Sequence, residues 1–214
     1  MKVISSWSGG KDSCLACHKA MEDGMEVSYL LNMAVDGRSH GLDRRLIEAQ
    51  SQAIGIPLVQ RVVSWNTYEE EFKKALRELK EKGVEGGVFG DIDLQEHRDW
   101  VENTCAGVGV KAFLPLWKRD RRELLNEFIS AGFKAVVVCV RSDVLEERWI
   151  GRTVDKEFVE ELSKVNVDLC GEAGEYHTFV IDGPIFKKKI EILETRRVKR
   201  DGKCFFDILR HRLE

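Results

Sequence analysis

"SWSGGKDSC", residues Ser6–Cys14, follows directly on the short apolar start of the chain. Lys2 to Trp7 reads as a strand and Asp12 to Asp23 as a helix closed by Gly24, so the glycine pair sits in a strand-to-helix turn. Such a turn suits an anion. Gly9 and Gly10 let backbone N–H groups approach a ligand, the helix opening near Asp12 points its positive end at it, Lys11 adds a cation, and Ser8 and Ser13 add hydroxyl donors. The spacing excludes two familiar loops. The Walker A pattern G-x-x-x-x-G-K-[ST] puts its first glycine where Ser5 stands and its hydroxyl where Asp12 stands, and the dinucleotide fingerprint G-x-G-x-x-G finds no match after Gly10. Phosphate binding is expected, but not β–γ cleavage by Walker machinery.

Working outward, apolar β-branched runs alternate with helical periods. A strand over Val27 to Met33 is followed by a helix over Leu42 to Ile54 ending at Gly55, then a strand from Pro57 to Val63. Thr67 with Glu70 predicts a capping box for a helix whose apolar stripe is Tyr68, Phe72, Ala75, Leu76 and Leu79. Val84 to Phe89, Gln95 to Ala106, Lys111 to Leu114, Arg119 to Ala131 and Ala135 to Val140 continue the alternation. The pattern predicts an α/β fold, a doubly wound, mainly parallel sheet with helices on both faces. Past Arg141 it changes: one helix over Asp155 to Val165, then "YHTFVID" and two alternating segments joined by Asp201-Gly202, a hairpin signal. The expected division is residues 1–140 as a nucleotide-binding domain and 141–214 as a small α+β substrate-binding domain.

Composition bounds the partners. In 214 residues, 43% hydrophobic, there is enough apolar material for a core. Lys and Arg total 34 against 37 Asp and Glu, a net charge of -3, which gives no bulk attraction for nucleic acid or an anionic membrane. No apolar run approaches the roughly 20 residues of a membrane span, and the start does not read as a signal peptide, so a cytoplasmic protein is expected. The six cysteines are scattered and expected to be reduced. Cys14 and Cys17 share a helix with no second C-x-x-C for zinc, and packing is the better reading of both. The basic residues Lys187 to Lys189 with Arg196, Arg197, Lys199 and Arg200 read as a solvated strand face.

A second unusual stretch, "DLCGEAGEYHTFVIDGPIF" (Asp168 to Phe186), sets Asp168, Glu172, Glu175, His177 and Thr178 among glycines. Carboxylates beside a histidine could bind an amine, orient a substrate or hold a metal, although a plain strand after a glycine turn has the same texture.

"SGGKDS" (Ser8 to Ser13) resembles the SGGxDS pyrophosphate loop of N-type ATP pyrophosphatases, which have an adenine-nucleotide α-hydrolase-like (HUP) fold. With "VFGDIDLQEHRDWVE" (Val88 to Glu102), "LPLWKRDRRELL" (Leu114 to Leu125) and "CGEAGEYHTFVIDGPIF" in the same order, nearly the whole chain resembles the diphthine–ammonia ligase family. That resemblance implies ATP as co-substrate, Mg2+, ammonium as nitrogen source, and translation elongation factor 2 carrying diphthine as protein partner. It implies release of AMP and pyrophosphate through an acyl-adenylate. Such activation makes chemical sense: a carboxylate cannot be amidated directly at neutral pH because its leaving group would be oxide. The residues accounted for leave no room for a glutaminase domain, so free ammonium is the expected donor. No stable nucleic-acid or membrane partner is expected, and a homodimer stays open.

The roles follow from placement. Ser8, Gly9, Gly10, Lys11, Asp12 and Ser13 are assigned to the ATP phosphates, Lys11 also to catalysis, and Asp12 alternatively to magnesium. Ligands of parallel sheets lie beyond the carboxyl ends of strands. Met33 and Ala34 end the second strand there and are candidates for adenine contact through the backbone, with core packing the competing reading of Met33. His40, in the loop that follows, is a candidate for substrate. Gly90 and Asp91 end the fourth strand, where Asp91 could bind magnesium or ribose or cap the next helix. Arg98 could neutralise a phosphate or pair with a neighbouring acid. Asp168, Gly171, Glu172, Gly174, Glu175 and Thr178 are assigned to the acceptor, and Glu172, Glu175 and His177 to catalysis, the general base among them left open. Two rivals share the loop: an adenylating tRNA-modifying enzyme, disfavoured by the net charge, and a non-catalytic ATP sensor, which would need no carboxylate-rich acceptor side.

Overall fold

The computed structural model describes all residues except 36, 37, 40 and 41, with the backbone alone at 38 and 39. Eleven strands and six α-helices follow one another in two sheets among the described residues. In the first sheet β1 (Lys2–Ser6) pairs in parallel with β2 (Glu26–Val35) on one side and β6 (Gly86–Val88) on the other; β5 (Leu58–Val63) joins β2 and β7 (Lys111–Phe113) joins β6. The parallel order is β5-β2-β1-β6-β7, with short β3 (Arg38–Ser39) and β4 (Leu42–Asp43) added antiparallel beyond β2. Strand order therefore reverses at β1, and the turn after β1 stands at the switch point of the sheet, where such folds place their ligands.

Alternate residues of the central strands feed opposite faces. Val3 and Leu30 pack with α1 (Lys11–Glu22) and α2 (Arg44–Ile54), whereas Ile4 and Leu31 pack with α3 (Tyr68–Glu81) and α4 (Gln95–Gly107). The expected doubly wound layers are present. The stripe of α3 buries Phe72, Ala75, Leu76 and Leu79 as its periodicity requires. Its capping box does not form: Thr67 is already helical (φ -108°, ψ -3°), and its hydroxyl accepts from the Ser64 amide at 3.1 Å. The Ser64–Thr67 turn has taken the side chain that the box needed. Helix α2 begins two residues later than the pattern predicts, because Leu42 and Asp43 belong to β4 and Asp43 caps the helix by accepting from the Arg45 amide.

The second sheet is antiparallel, in the order β10-β11-β8-β9, from β8 (Lys134–Arg141), β9 (Tyr176–Asp182), β10 (Ile190–Arg200) and β11 (Lys203–Leu213). Strand β8 continues the sequence alternation after α5 (Arg121–Ser130) yet pairs here, antiparallel to β9 and β11, and not in the parallel sheet. A run as uniformly apolar as "AVVVCV" suits any strand buried on both faces, so the pattern could not assign its sheet. Asp201 (φ 49°) and Gly202 (φ 70°) make the tight β10–β11 hairpin. One apolar core runs from the α1/α2 face of the parallel sheet through α5, β8, β9 and α6 (Lys156–Leu162), so the two sheets are packed together. No helix is long and apolar enough to cross a membrane among the described residues.

Candidate functional site

The turn after β1 is held in shape by residues far from it in sequence. Gly9 has φ +81°, and a Cβ there would stand 2.6 Å from Gln50 Oε1, so both conformation and space require glycine. Its carbonyl accepts from the Gln50 side-chain amide at 2.9 Å and from the Val180 backbone amide at 3.0 Å. Gln50, wholly buried on α2, also donates to the Val180 carbonyl and accepts from the Trp7 indole. One side chain thus ties β1, the turn and β9 together. Sequence reading missed it, since a lone glutamine inside an amphipathic helix carries no local signal.

Helix α1 starts at this turn, and Gly10, Lys11, Asp12 and Ser13 at its start border the cavity. Ser8 Oγ accepts from the Gly10 amide at 3.3 Å and meets Ser13 Oγ at 3.2 Å, while Thr178 Oγ1, from β9, accepts from the Lys11 amide at 3.0 Å. The first amides of a helix are the donors a phosphate group would take. At Gly90, after β6, the backbone comes so close to Asp12 that a Cβ would be 2.8 Å from its carbonyl carbon. Any side chain at residue 90 would push the helix start away from the sheet.

Lys11 is buried, and its amine donates to Asp12 Oδ2 at 2.9 Å and to the Cys170 carbonyl, 5.0 Å from the Tyr176 ring centre. Burial works against its charge, but the Asp12 carboxylate and then Tyr176 and Cys170 outweigh that, holding its pKa above the ordinary lysine value. The lysine is therefore a fixed cation, clamped between the turn and the 168–178 segment. Its contacts join residues 11 and 170, and 11 and 178, at one point.

In that segment the three acids have separate surroundings. Asp168 pairs with Arg121, which also reaches Asp93 at 2.7 Å, and Asp168 Oδ1 accepts from the Cys170 amide at 2.7 Å. Glu175 is only 7% exposed; Oε1 accepts from the Asp168 amide at 3.2 Å, and Oε2 is buried without a hydrogen-bond partner among the described residues. Glu172 alone of the three lines the cavity. Its pKa is raised to about 7, by burial first and then by the nearby Asp12 carboxylate, with Lys11 pulling the other way and Asp91 adding to the rise.

These parts enclose a cavity of about 620 Å³, within the usual range for small-molecule sites. One wall is the turn, with Ser8, Gly10, Lys11, Asp12 and Ser13; a second is Gly171, Glu172, Gly174, His177 and Thr178; Gly90 and Asp91 lie between. The far wall was not foreseen. It is aromatic, built from Trp65, Tyr68, Phe72, Phe89 and Trp100, with Glu69 and His97 beside them. The helical stripe of α3 was legible as core, but that its first turn opens on a ligand space needed the fold. The Met33 side chain is buried in the core with α3, and the residue is not among those that border the cavity. Arg98 stacks on Trp117 at 5.0 Å and pairs with Glu102 at 2.7 Å, also away from it. His40 lies outside the described residues. All six cysteines are free and buried; Cys14 and Cys17 are wholly enclosed, and burial pushes the Cys17 thiol up to about 12.

A doubly wound α/β protein with a phosphate-shaped turn at its switch point and a carboxylate-bearing segment of a second sheet facing that turn is the class defined so far. Comparison with known proteins narrows it. Residues 1–112 match the model of the diphthamide synthase N-terminal domain and residues 120–213 that of the diphthamide synthase C-terminal domain. The chain is 31% identical to the diphthine–ammonia ligase of Mus musculus, covering 100% of this chain and 91% of that protein. It is also 31% identical to that of Homo sapiens, over 96% and 88% respectively. A match of 27% to the Schizosaccharomyces pombe diphthine–ammonia ligase covers 94% of this chain but 38% of that longer protein. A solved structure described as a predicted subunit of tRNA methyltransferase, from Methanocaldococcus jannaschii, is similar at TM-score 0.45 and 14% identity over 63% of this chain and 77% of that one, too loosely to bear on the site. The chain belongs to the diphthamide synthase family.

Proposed function

We propose that this chain amidates the diphthine carboxylate of translation elongation factor 2, using ATP and ammonium, through an acyl-adenylate with release of AMP and pyrophosphate. The observation that carries the reading is the convergence of Ser8–Ser13 and the 170–178 segment on one cavity, joined through Lys11. One side offers amides, hydroxyls and a fixed cation to phosphate. The other offers a carboxylate, Glu172, poised to change protonation near neutral pH.

In this reading the first amides of α1, with Ser8, Ser13 and Lys11, hold the phosphates that leave as pyrophosphate. Their donors act where negative charge accumulates as the α–β bond breaks. Glu172 is the base that takes a proton from ammonium or from the attacking ammonia, because a base with a pKa near the working pH combines the right protonation state with useful proton affinity. His177 lines the same wall and orients the acceptor. Asp168 and Glu175 serve by bracing the segment. The parallel half of the molecule is thereby the nucleotide side and the antiparallel half the acceptor side.

Magnesium fits the acids on the wall. Asp12, Asp91 and Glu172 are close enough for the first two to suppress ionisation of the third, a repulsion that a divalent cation would relieve. An ion of this kind is held by one or two carboxylates and the nucleotide's own phosphates. Asp12 and Asp91 would hold it, and when bound it would neutralise phosphate charge.

The test is direct incubation with diphthine-bearing elongation factor, ATP and ammonium. AMP, pyrophosphate and the mass change from carboxylate to amide should appear together and require all three. Absence of AMP, or AMP without the amide, sinks the proposal.

A further inference from the structure

The aromatic wall of the cavity is in excess of what a phosphate turn and a base require. Trp65 is 77% exposed, yet its ring stacks on Tyr68 with centres 5.8 Å apart and planes 23° from parallel. Tyr68 in turn meets Trp100 at 5.7 Å, tilted by 56°, and Phe72 meets Trp100 at 5.3 Å, tilted by 53°. All four rings border the cavity, and Trp100 is tilted against both Tyr68 and Phe72. Each face carries the negative end of the ring quadrupole, which attracts a cation.

The charges beside the rings have the same preference. Glu69 Oε2 accepts from the Trp100 indole at 3.2 Å, and this carboxylate, paired with Lys73, is held below its ordinary pKa by those hydrogen bonds. Asp91 is near enough to Tyr68 to oppose ionisation of its phenol, after the larger effect of burial. Lys11 is the only lysine or arginine on the cavity wall among the described residues, and it is already engaged at the other end. A soft, poorly hydrated cation is the ligand that suits tilted rings with carboxylates behind them.

We infer that Trp65, Tyr68 and Trp100, with Glu69, form a binding site for a quaternary ammonium group. Naming the group's owner rests on the proposed function: diphthine bears a trimethylammonium on the carbon next to the carboxylate to be amidated. A cage gripping that group orients the neighbouring carboxylate toward the phosphate turn, and it distinguishes the trimethylated side chain from one lacking the charge.

The experiment uses the intact protein with choline chloride, and with the neutral isostere 3,3-dimethylbutan-1-ol at matched ionic strength, followed by tryptophan fluorescence and calorimetry. Choline should bind about tenfold more tightly than the alcohol, and Trp65→Leu and Glu69→Gln should each weaken it about fivefold while changing ATP affinity less than about twofold. With diphthine-bearing elongation factor, Trp65→Leu should raise KM about tenfold and leave kcat within a few-fold. Equal binding of choline and the alcohol, no choline binding, or a fall in ATP affinity with Trp65→Leu overturns the cage, the last by giving the wall to adenine. Choline binding at the wall without any amidation by the wild-type protein would sink the proposed function and leave the cage standing. Normal amidation with an unchanged KM in Trp65→Leu would do the reverse.

Discussion

The two glycine-rich stretches that meet in the cavity use their polar residues in different ways. In Ser8–Ser13 nearly every polar group faces the turn itself or the space before it: Ser8 and Ser13 touch each other, and Lys11 is pinned by Asp12 and Cys170. In the 168–178 segment the acids diverge, with Asp168 on Arg121, Glu175 buried under the Asp168 amide and Glu172 alone at the cavity. A helix N-terminus dictates where its donors point, so spacing alone reveals their role. A loop has no such rule, and each of its acids takes whatever partner the surrounding fold supplies.

The largest way to break this contrast is Lys11→Ala. Removing a buried cation leaves Asp12 and the Cys170 carbonyl without their donor, an arrangement that costs about 3 kcal/mol when a buried pair is broken. AMP formation should fall by about three orders of magnitude and the melting temperature by several degrees. Calorimetry and a pyrophosphate-release assay check both; retention of ATP use within tenfold would remove the lysine from the phosphate side.

Glu172→Gln comes next. A positioned base contributes about 10²- to 10⁴-fold, so kcat should fall by at least about 10² while ATP binding holds within about twofold. With a folded value of about 7, the wild-type base is protonated below neutrality. Magnesium, by relieving the repulsion from Asp12 and Asp91, lowers that value, so kcat should rise with pH through an inflection that added magnesium moves down, and that limb should vanish in the variant. Stability carries the opposite sign: a carboxyl with its pKa raised on folding favours the native state below its unfolded value and loses that contribution as pH rises through the folded one. The glutamine variant should lose less stability than wild type between about pH 5 and pH 8. A wild-type kcat without such an inflection, or a limb that survives in the variant, would contradict the assignment.

How much of this could be read beforehand depended on the range of the interactions. The β1–turn–α1 unit was legible because glycine chemistry, helix polarity and strand pattern all act within a few residues. The Asp201-Gly202 hairpin was legible for the same reason. Strand β8 was not assignable to a sheet, since "AVVVCV" specifies burial and not partners. Met33 lies just before the end of β2, and its side chain is buried with α3, a choice fixed by strand parity and by which helix covers that face. Gln50 ties residues more than forty apart, and the aromatic wall joins α3 to α4 across about thirty, ranges that no local pattern encodes.

The acids of the second segment can be separated by a milder pair of changes. Glu175→Ala deletes the acceptor of the Asp168 amide, at a cost of about 1–3 kcal/mol for a buried donor left unsatisfied. Glu175→Gln keeps an acceptor at Oε1, so it should restore most of the stability and, with it, amidation. If the glutamine variant folds as wild type, by thermal melting, yet cannot amidate, Glu175 acts through its charge on the acceptor and the contrast with Glu172 fails.

The smallest effect is expected at Arg98, where sequence reading offered phosphate neutralisation. Its guanidinium lies over Trp117 and pairs with Glu102 four residues on, outside the cavity. A partly exposed i,i+4 pair contributes about 0.3–0.5 kcal/mol, and the contact with the indole a similar amount. Arg98→Ala should therefore lower the melting temperature slightly and leave ATP affinity within about twofold, measured by calorimetry at low and high salt. A tenfold loss of ATP affinity that weakens with added salt would mean that the helix start of α4 swings its cation onto the nucleotide, and that the phosphate side extends well beyond the Ser8–Ser13 turn.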